Sequence, residues 1–315
     1  MTSCDGNLMK FIPIQLESIA ANLSNRNIEF YLFHDGQNIA YINKLKKIKY
    51  NNINFHDIVV EDVKIYEAIA KYGGNWCGAA YYGLCAHKYL PLDMDRILYI
   101  DSGDILIIDD IDDYYFADFE GKSLIATAIL FKMEDNKLSV FDKNDLLIKE
   151  YLTGIARGIF NSGSYVINLS KMRNKNYNIE SYLHLAELIY QARGKVKRTF
   201  FGDQGFLSLI FAGDIKYFAY PQITDLLYMP YNFGIWYFDK VEQLNYKVSV
   251  VHYIGDNVFK PWKGKYKTFL QNFQNKDELY NFDNLNENQI KYYNIWYKYA
   301  SLTNDRLDRC KIKCL

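Results

Sequence analysis

The sequence predicts an α/β fold in which a mixed, mostly parallel sheet is flanked by helices and followed by a helical C-terminal tail. Short runs of strand formers alternate with segments of helical periodicity, the pattern of strands joined by crossover helices. Half of the 315 residues are hydrophobic, enough for a sizeable buried core. The third observation is residues 96–108, Arg-Ile-Leu-Tyr-Ile-Asp-Ser-Gly-Asp-Ile-Leu-Ile-Ile, where strand formers stop at two carboxylates and then resume. Charge is costly inside a strand, so Asp101 and Asp104 are expected at its end, paired or on a metal. Residues 96–100 read as a fully buried strand of a sheet covered on both faces. Such a strand delivers Asp101 to its carboxyl end, where open α/β sheets place ligands. Gly103 permits a tight or bulged backbone between the two carboxylates. A divalent cation carrying a diphosphate fits this arrangement, because hard cations take oxygen ligands and share them with phosphates. A plain acidic strand-to-loop turn fits it too.

Composition narrows the class. Thirty-seven basic and 37 acidic residues cancel, so no global charge argues for a nucleic-acid partner. The 29 Tyr and 20 Phe suit sugar and base surfaces, but they accompany abundant Asn, Lys and Ile and carry little weight alone. Cys4, Cys77, Cys85, Cys310 and Cys314 form no CxxC pair, which fits a reducing compartment and argues against a zinc finger or a disulfide scaffold. No apolar run reaches the roughly eighteen residues of a membrane span, and no signal peptide is recognisable. A cytoplasmic enzyme is the expectation.

In chain order, residues 8–23 have helical spacing, 28–34 form a buried strand closed by the turn signal Asp35-Gly36, 41–48 a second helix and 53–60 a further sheet element. Residues 79–90 read as a helix ending at Pro91. Asp109, Asp110, Asp112 and Asp113 read as the solvated start of a short helix, favoured by the helix dipole, with a second metal site as the alternative. Residues 123–130 are a strand, and the polar segment 132–149 is expected as a loop over the site. Residues 158–169 form a strand interrupted by Asn161, Ser162 and Gly163, either for close backbone approach to a ligand or as an ordinary bulge. Residues 179–192 are an amphipathic helix. Asp203 and Gln204 open a helix running to about 211, a position where Asp serves as a cap or as a catalyst. Residues 248–253 are the last clear strand, with His252 near its end, then Gly255 and Lys260-Pro261-Trp262.

The order of these motifs resembles glycosyltransferase family eight, retaining enzymes that include bacterial lipopolysaccharide galactosyl- and glucosyltransferases. The resemblance is carried by SCDGN before a long helix, AAYYGL before the central strand, ILYIDSGDILI, FNSGSYVINLSKMR, the Asp203-Gln204 pair and HYIGDNVFKPW. It implies a nucleotide-binding domain of the GT-A type, using a nucleotide sugar, a UDP-sugar, and Mn2+ or Mg2+. By the same resemblance Asp101, Asp104 and His252 hold the metal, and Gly255 and Lys260 contact the diphosphate. Asn161 and Ser162 would lie against the donor sugar, Asp203 would fix its hydroxyls, and Gln204 would face the anomeric carbon. Thr2, Cys4 and Asp5 would line the nucleotide base. Three departures stand in the sequence: one residue more between the carboxylates than in Asp-x-Asp, Gly83 where family members often carry Arg, and a longer interval from Gly255 to Lys260. Only Met1 and Thr2 precede Ser3 and Cys4, so the first strand is expected to be short or incomplete.

The expected organisation is a catalytic domain over 1–265, with a nucleotide-binding half at about 1–110 and an acceptor-side half at about 111–265, then an extension over 266–315. Within the extension 266–273 and 289–299 are aromatic-rich with helical spacing. From 291 onward Lys291, Lys298, Arg306, Arg309, Lys311 and Lys313 outnumber Asp305 and Asp308. Such a tail suits an anionic membrane surface, and hence peripheral attachment to the inner face of a membrane, or equally a helix packing its aromatics on the core. The expected function is a metal-dependent retaining hexosyltransferase moving glucose or galactose from a UDP-sugar to a glycan or glycolipid acceptor such as lipooligosaccharide. A catalytically degenerate binding module of the same fold is the alternative, and self-glucosylation on a tyrosine a third.

Overall fold

The computed structural model describes residues 1–6, 8–73, 77–129, 159–175, 178–192, 203–218, 233–234, 248–253, 260–262 and 287–312. The expected loop at 132–149, the aromatic segment 266–273 and Gly255 lie outside these residues. The chain opens with β1 (Thr2–Cys4), and a 3-10 turn at Met9–Phe11 leads into α1 (Ile12–Asn22). Pro13 sits in the first turn of α1, where a missing N–H leaves no helical bond unmade. β2 (Ile28–His34), α2 (Ile39–Leu45) and β3 (Ile53–Val59) follow.

The next helix, α3 (Val63–Gly73), is one the sequence reading left unassigned. Tyr66, Ile69 and Ala70, at spacings of three and four residues on one face, are its buried side chains. Where one helix was expected over 79–90, a 3-10 segment, Gly78–Cys85, precedes a single α-turn, α4 (Ala86–Tyr89). Glycine is a poor α-helix former, and a Cβ at Gly83 would stand 2.7 Å from the Tyr165 hydroxyl, so close packing takes precedence over regular helix here. β4 (Arg96–Ile100), β5 (Ile105–Ile107) and α5 (Asp112–Tyr115) come next. Asp110 caps the main-chain N–H of Asp112, and Arg26 pairs with Asp112, so the acidic cluster does open a short helix. The remaining elements are β6 (Leu124–Ile129), β7 (Ile159–Asn168), α6 (Leu169–Lys175), α7 (Ile179–Ala192), α8 (Asp203–Ile210), β8 (Ile215–Tyr217), β9 (Phe233–Gly234), β10 (Val250–His252) and α9 (Glu287–Arg309).

β1, β2 and β3 pair in parallel, while β4 and β6 flank β7 antiparallel and β8 joins β6 in parallel. The two groups meet at Met1, whose nitrogen donates to Leu98 O at 2.6 Å and whose carbonyl accepts from Ile100 N at 3.0 Å. The spatial order is therefore β3-β2-β1-β4-β7-β6-β8, a mixed sheet. A smaller sheet, β5-β10-β9, stands apart from it. Residues 96–108 thus read as one interrupted run but belong to two sheets, and the chain crosses between them at the carboxylates.

β4 shows why the run is apolar throughout. Ile97 and Tyr99 enter a core with Tyr66, Tyr81, Phe160, Tyr165 and Phe206, whereas Leu98 and Ile100 enter a second core with Leu16, Leu32, Ile125 and Val166. A third cluster binds α9 to α1 through Phe11, Ile14, Tyr292, Tyr293, Trp296 and Tyr299. Arg306 adds a two-pronged bond to Glu17, with Nε 2.6 Å from Oε2 and NH2 2.8 Å from Oε1. Tyr292, Tyr293, Trp296 and Tyr299 of α9 are thus turned into the core, and they lend no support to the membrane-surface expectation. Among the described residues no helix is long and apolar enough to cross a membrane.

Asp214 ties the end of α8 to the sheet. It accepts from Ser123 Oγ at 2.5 Å and Lys171 Nζ at 2.6 Å, and it pairs with Lys175. Burial alone would raise its carboxyl, but these donors hold it at about 2, below the ordinary 3.8. A depressed folded-state value contributes stability above the unfolded value and loses it as pH falls. Asp214→Asn is therefore expected to cost about 1–2 kcal/mol at neutral pH after allowance for solvent screening. In urea unfolding at a series of pH values, the gap from wild type should close as pH drops from 3.8 through about 2.

Candidate active site

The turn between β4 and β5 brings two carboxylates to one side. Asp101 N still donates to Gly163 O at 2.9 Å, so the ladder to β7 extends one residue beyond the strand. Gly103 then takes φ +79, a left-handed value, and a Cβ there would lie 2.8 Å from Phe11 Cβ and 3.1 Å from Leu8 O. Only glycine satisfies both demands. The extra residue of Asp-Ser-Gly-Asp is absorbed in this bend, and β5 resumes immediately after Asp104.

β10 carries His252 over the turn. It pairs antiparallel with β5, His252 opposite Ile105, and Tyr253 N donates to Asp104 O at 2.8 Å. Gly163 makes room, because a Cβ there would stand 2.3 Å from His252 Cε1. The glycine within the polar interruption of β7 therefore serves the approach of a side chain, while a register shift between Ala126 and Ala128 marks an irregularity in the same pairing. His252 Nε2 ends 3.8 Å from Asp101 Oδ2 and 3.7 Å from Asp104 Oδ2. One ligand atom from each of Asp101, Asp104 and His252 falls within 4.8 Å of the others. Lys260 Nζ donates to Asp104 Oδ2 at 2.7 Å, and Asp104 Oδ1 is buried with no hydrogen-bond partner among the described residues.

The two carboxylates differ electrostatically. Burial, reinforced by the charges of Asp104 and Asp203, pushes Asp101 well above the carboxylate range. Burial acts the same way on Asp104, but the Lys260 ammonium and the His252 ring hold it below that range. A cation arriving here would meet one ionised carboxylate and one that has a proton to release.

Asp203 lies beside this group at the start of α8. It accepts from Ser162 Oγ at 2.7 Å and from main-chain N–H groups of its own helix start, so it both caps and faces the site. Burial nevertheless raises its carboxyl against those donors. Asn161 is buried on β7, its Oδ1 accepting from Gly163 N at 3.0 Å. Gln204 is buried as well, and Ser208 seats the helix on β7 by donating to Gln204 O at 2.7 Å while accepting from Phe160 N at 3.2 Å.

The expected base-lining residues lie along β1, which Thr2 opens and Cys4 ends, and just beyond it at Asp5. Thr2 and Cys4 are buried, Cys4 in hydrogen-bond contact with Ser102 of the carboxylate turn and Asp5 with Cys77. Sequence reasoning missed Tyr165. Its ring stacks on Tyr99 at 4.8 Å, and its hydroxyl fills the space over Gly83, the position where the family resemblance led us to look for Arg. A mainly apolar cavity of about 260 Å3, walled by Ile19, Leu23, Phe30, Leu98, Ile100 and Ile107 with Arg26, Glu29 and Asp112 on its lining, reaches the start of β2 and does not include Asp101, Asp104 or His252.

The mixed sheet and the smaller sheet together bring two carboxylates and an imidazole to one place, and comparison gives the class of protein that carries them. Residues 1–266 match the family described as glycosyl transferase family 8, and the chain belongs to that family. It is a glycosyltransferase. Over 154 residues it is 23% identical to the lipopolysaccharide 1,2-glucosyltransferase of Escherichia coli (strain K12), a match covering 48% of this chain and 44% of the relative, less than half of that protein's length. Among solved structures, the galactosyltransferase LgtC in complex with donor and acceptor sugar analogs superposes with a TM-score of 0.62 at 19% identity, covering 96% of this chain and 94% of that one. The glycosyltransferase GlyE of Streptococcus pneumoniae TIGR4 gives 0.55 at 16% identity, covering 99% and 63%. At these identities the structures show a shared GT-A fold.

Gly103 and Gly121 separate two costs. Both have left-handed φ, +79 and +71, but a Cβ at Gly121 would meet nothing within 4 Å. Gly121→Ala should cost about 1 kcal/mol, from strain alone, and Gly103→Ala at least about 2 kcal/mol. Denaturant unfolding of the two variants checks the difference.

Proposed function

We propose that this chain is a metal-dependent retaining hexosyltransferase that moves glucose or galactose from a UDP-sugar to a glycan acceptor, lipooligosaccharide or another surface glycan. The observation that carries this reading is the gathering of Asp101, Asp104 and His252 within 4.8 Å in a family 8 chain. The donor set fits Mn2+ or Mg2+: two carboxylates and one imidazole suit a hard to borderline cation, and Asp104 Oδ1, buried with no hydrogen-bond partner among the described residues, is an acceptor in want of a positive partner. Such an ion, when bound, supplies Lewis-acid stabilisation of the departing diphosphate.

The chain's own groups do the rest. Lys260, now on Asp104, is positioned to donate to a diphosphate and take up charge as it leaves. Ser162 and Asp203 form a joined donor and acceptor pair for sugar hydroxyls, with Asn161 beside them on β7. Gln204 contributes an amide dipole rather than a strong nucleophile, which favours a same-face transfer through a short-lived ion pair over double displacement. Thr2, Cys4 and Asp5 serve the base from β1 and the residue that follows it. The unit doing this is 1–265, with the extension 266–315 packed through α9 against α1. The printed roles of the relatives, a lipopolysaccharide glucosyltransferase and a galactosyltransferase with donor and acceptor analogs, support the donor and acceptor classes. The bend at Gly103 weighs against a degenerate binding module, since the extra residue leaves Asp104 within reach of Asp101 and His252.

UDP release from UDP-glucose and UDP-galactose, with and without a lipooligosaccharide acceptor, tests this reading. One donor should be turned over with Mn2+, and EDTA or Asp104→Ala should lower the rate by about 100-fold or more. Activity unchanged by both treatments would contradict the metal assignment. Cation affinity should also fall as pH is lowered, because Asp101, whose carboxyl burial raises, must lose its proton to bind; a Mn2+ titration across pH measures this.

A further inference from the structure

Among the described residues β5 pairs with a strand on one edge only, β10, and its other edge lies against α1. Along the strand the main-chain groups alternate: Asp104 O and Ile108 N bond to the β10 side, through Tyr253 N and Ser249 O. The groups of Ile105 and Ile107 face the opposite way, toward α1, where they need partners. A polar stripe on α1 supplies them. Gln15, Ser18 and Asn22 fall on one face of the helix at spacings of three and four residues. Asn22 Nδ2 donates to Ile107 O at 3.0 Å, and Ser18 Oγ accepts from Ile107 N at 3.3 Å. Gln15 Nε2 donates to Ile105 O at 3.1 Å and also to Asp101 O at 2.8 Å.

Gln15 therefore does something its two companions do not. One planar amide nitrogen with two fixed N–H directions grips the first carbonyl of the turn that carries both carboxylates and the first carbonyl of β5 just beyond it. The residue is wholly buried, at 0% exposure, so water does not compete for those carbonyls. The turn is also one residue longer than Asp-x-Asp and bends at a left-handed glycine, so its ends need an external restraint to keep a single separation. We infer that Gln15 is a positioning residue for the metal site, setting the distance between Asp101 and Asp104 through the backbone on which they ride. The inference rests on the metal reading of those two carboxylates and adds to it a residue that touches neither metal nor sugar.

The test is Mn2+ affinity of the full chain, read by electron paramagnetic resonance of the free ion, for wild type, His252→Ala, Gln15→Met, Gln15→Asn and Ser18→Ala. Gln15→Met keeps length and volume without donors; Gln15→Asn keeps the amide on an arm too short to grip both carbonyls and serves if the Met variant does not fold. Wild type should bind, His252→Ala should not, and the Gln15 variants should bind about 10-fold or more weakly. Ser18→Ala, which frees the same strand edge beyond the turn, should lower the melting temperature while leaving Mn2+ affinity within about twofold of wild type. Wild-type affinity in a folded Gln15 variant would overturn the inference alone, as would an equal loss in Ser18→Ala. Absence of Mn2+ binding in wild type would remove the metal reading and the inference with it.

Discussion

The rest of the site depends on one bend of backbone. Between Ile100 and Ile105 the chain leaves the main sheet and enters the small one, and the crossing is possible because Gly103 adopts φ +79 against Phe11 and Leu8. Each sheet then contributes what the other lacks. β4 and β7 supply a rigid, doubly buried base for Asp101, while β5 and β10 bring Asp104 and His252 to it. Rigid placement by strands is what allows a few charged side chains to be held in a low-dielectric setting at fixed separations.

That setting stores the electrostatic tension of the site. Asp101, Asp104 and Asp203 sit close enough for their charges to act on one another, and Lys260 and His252 compensate chiefly Asp104. The result is an asymmetric pair, one carboxylate ionised against an ammonium and the other raised by burial. In the proposed reaction a divalent ion would relieve both conditions together, and a nucleotide diphosphate would give Lys260 a new anionic partner. Asp104, bonded to Lys260 and close to His252, is the carboxylate through which that proposal links cation, diphosphate and lysine.

Much of the frame was legible from periodicity. The strand at 28–34 and the helix at 179–192 were read to the residue, because each is a clean run bounded by turn or capping signals. The carboxylate pair and His252 were legible from motif order. What escaped depends on contacts between residues remote in the chain. The interruption at 161–163 read equally as approach to a ligand or as a bulge, and Gly163 makes room for His252, which lies on another sheet. Tyr165 occupies the space over Gly83, a fit between two elements that no local pattern encodes. Gln15 was not singled out within the helical run 8–23, because its partners, Asp101 and Ile105, lie more than 80 residues further along the chain. The helix α3 went unread because its apolar residues follow closely on a strand and merge with it in a linear scan. The aromatic tail was ambiguous between surface and core until its ring contacts with Phe11 and Trp262 were seen.

The central claim is that the lengthened Asp-Ser-Gly-Asp turn still builds one three-residue metal site with His252. Anomalous diffraction from crystals grown with Mn2+ and UDP measures it directly. The account predicts a manganese peak bonded by Asp101, Asp104 and His252 together. A peak bonded by only one of the carboxylates, or one at the acidic cluster of Asp109, Asp110, Asp112 and Asp113 with none here, would contradict it.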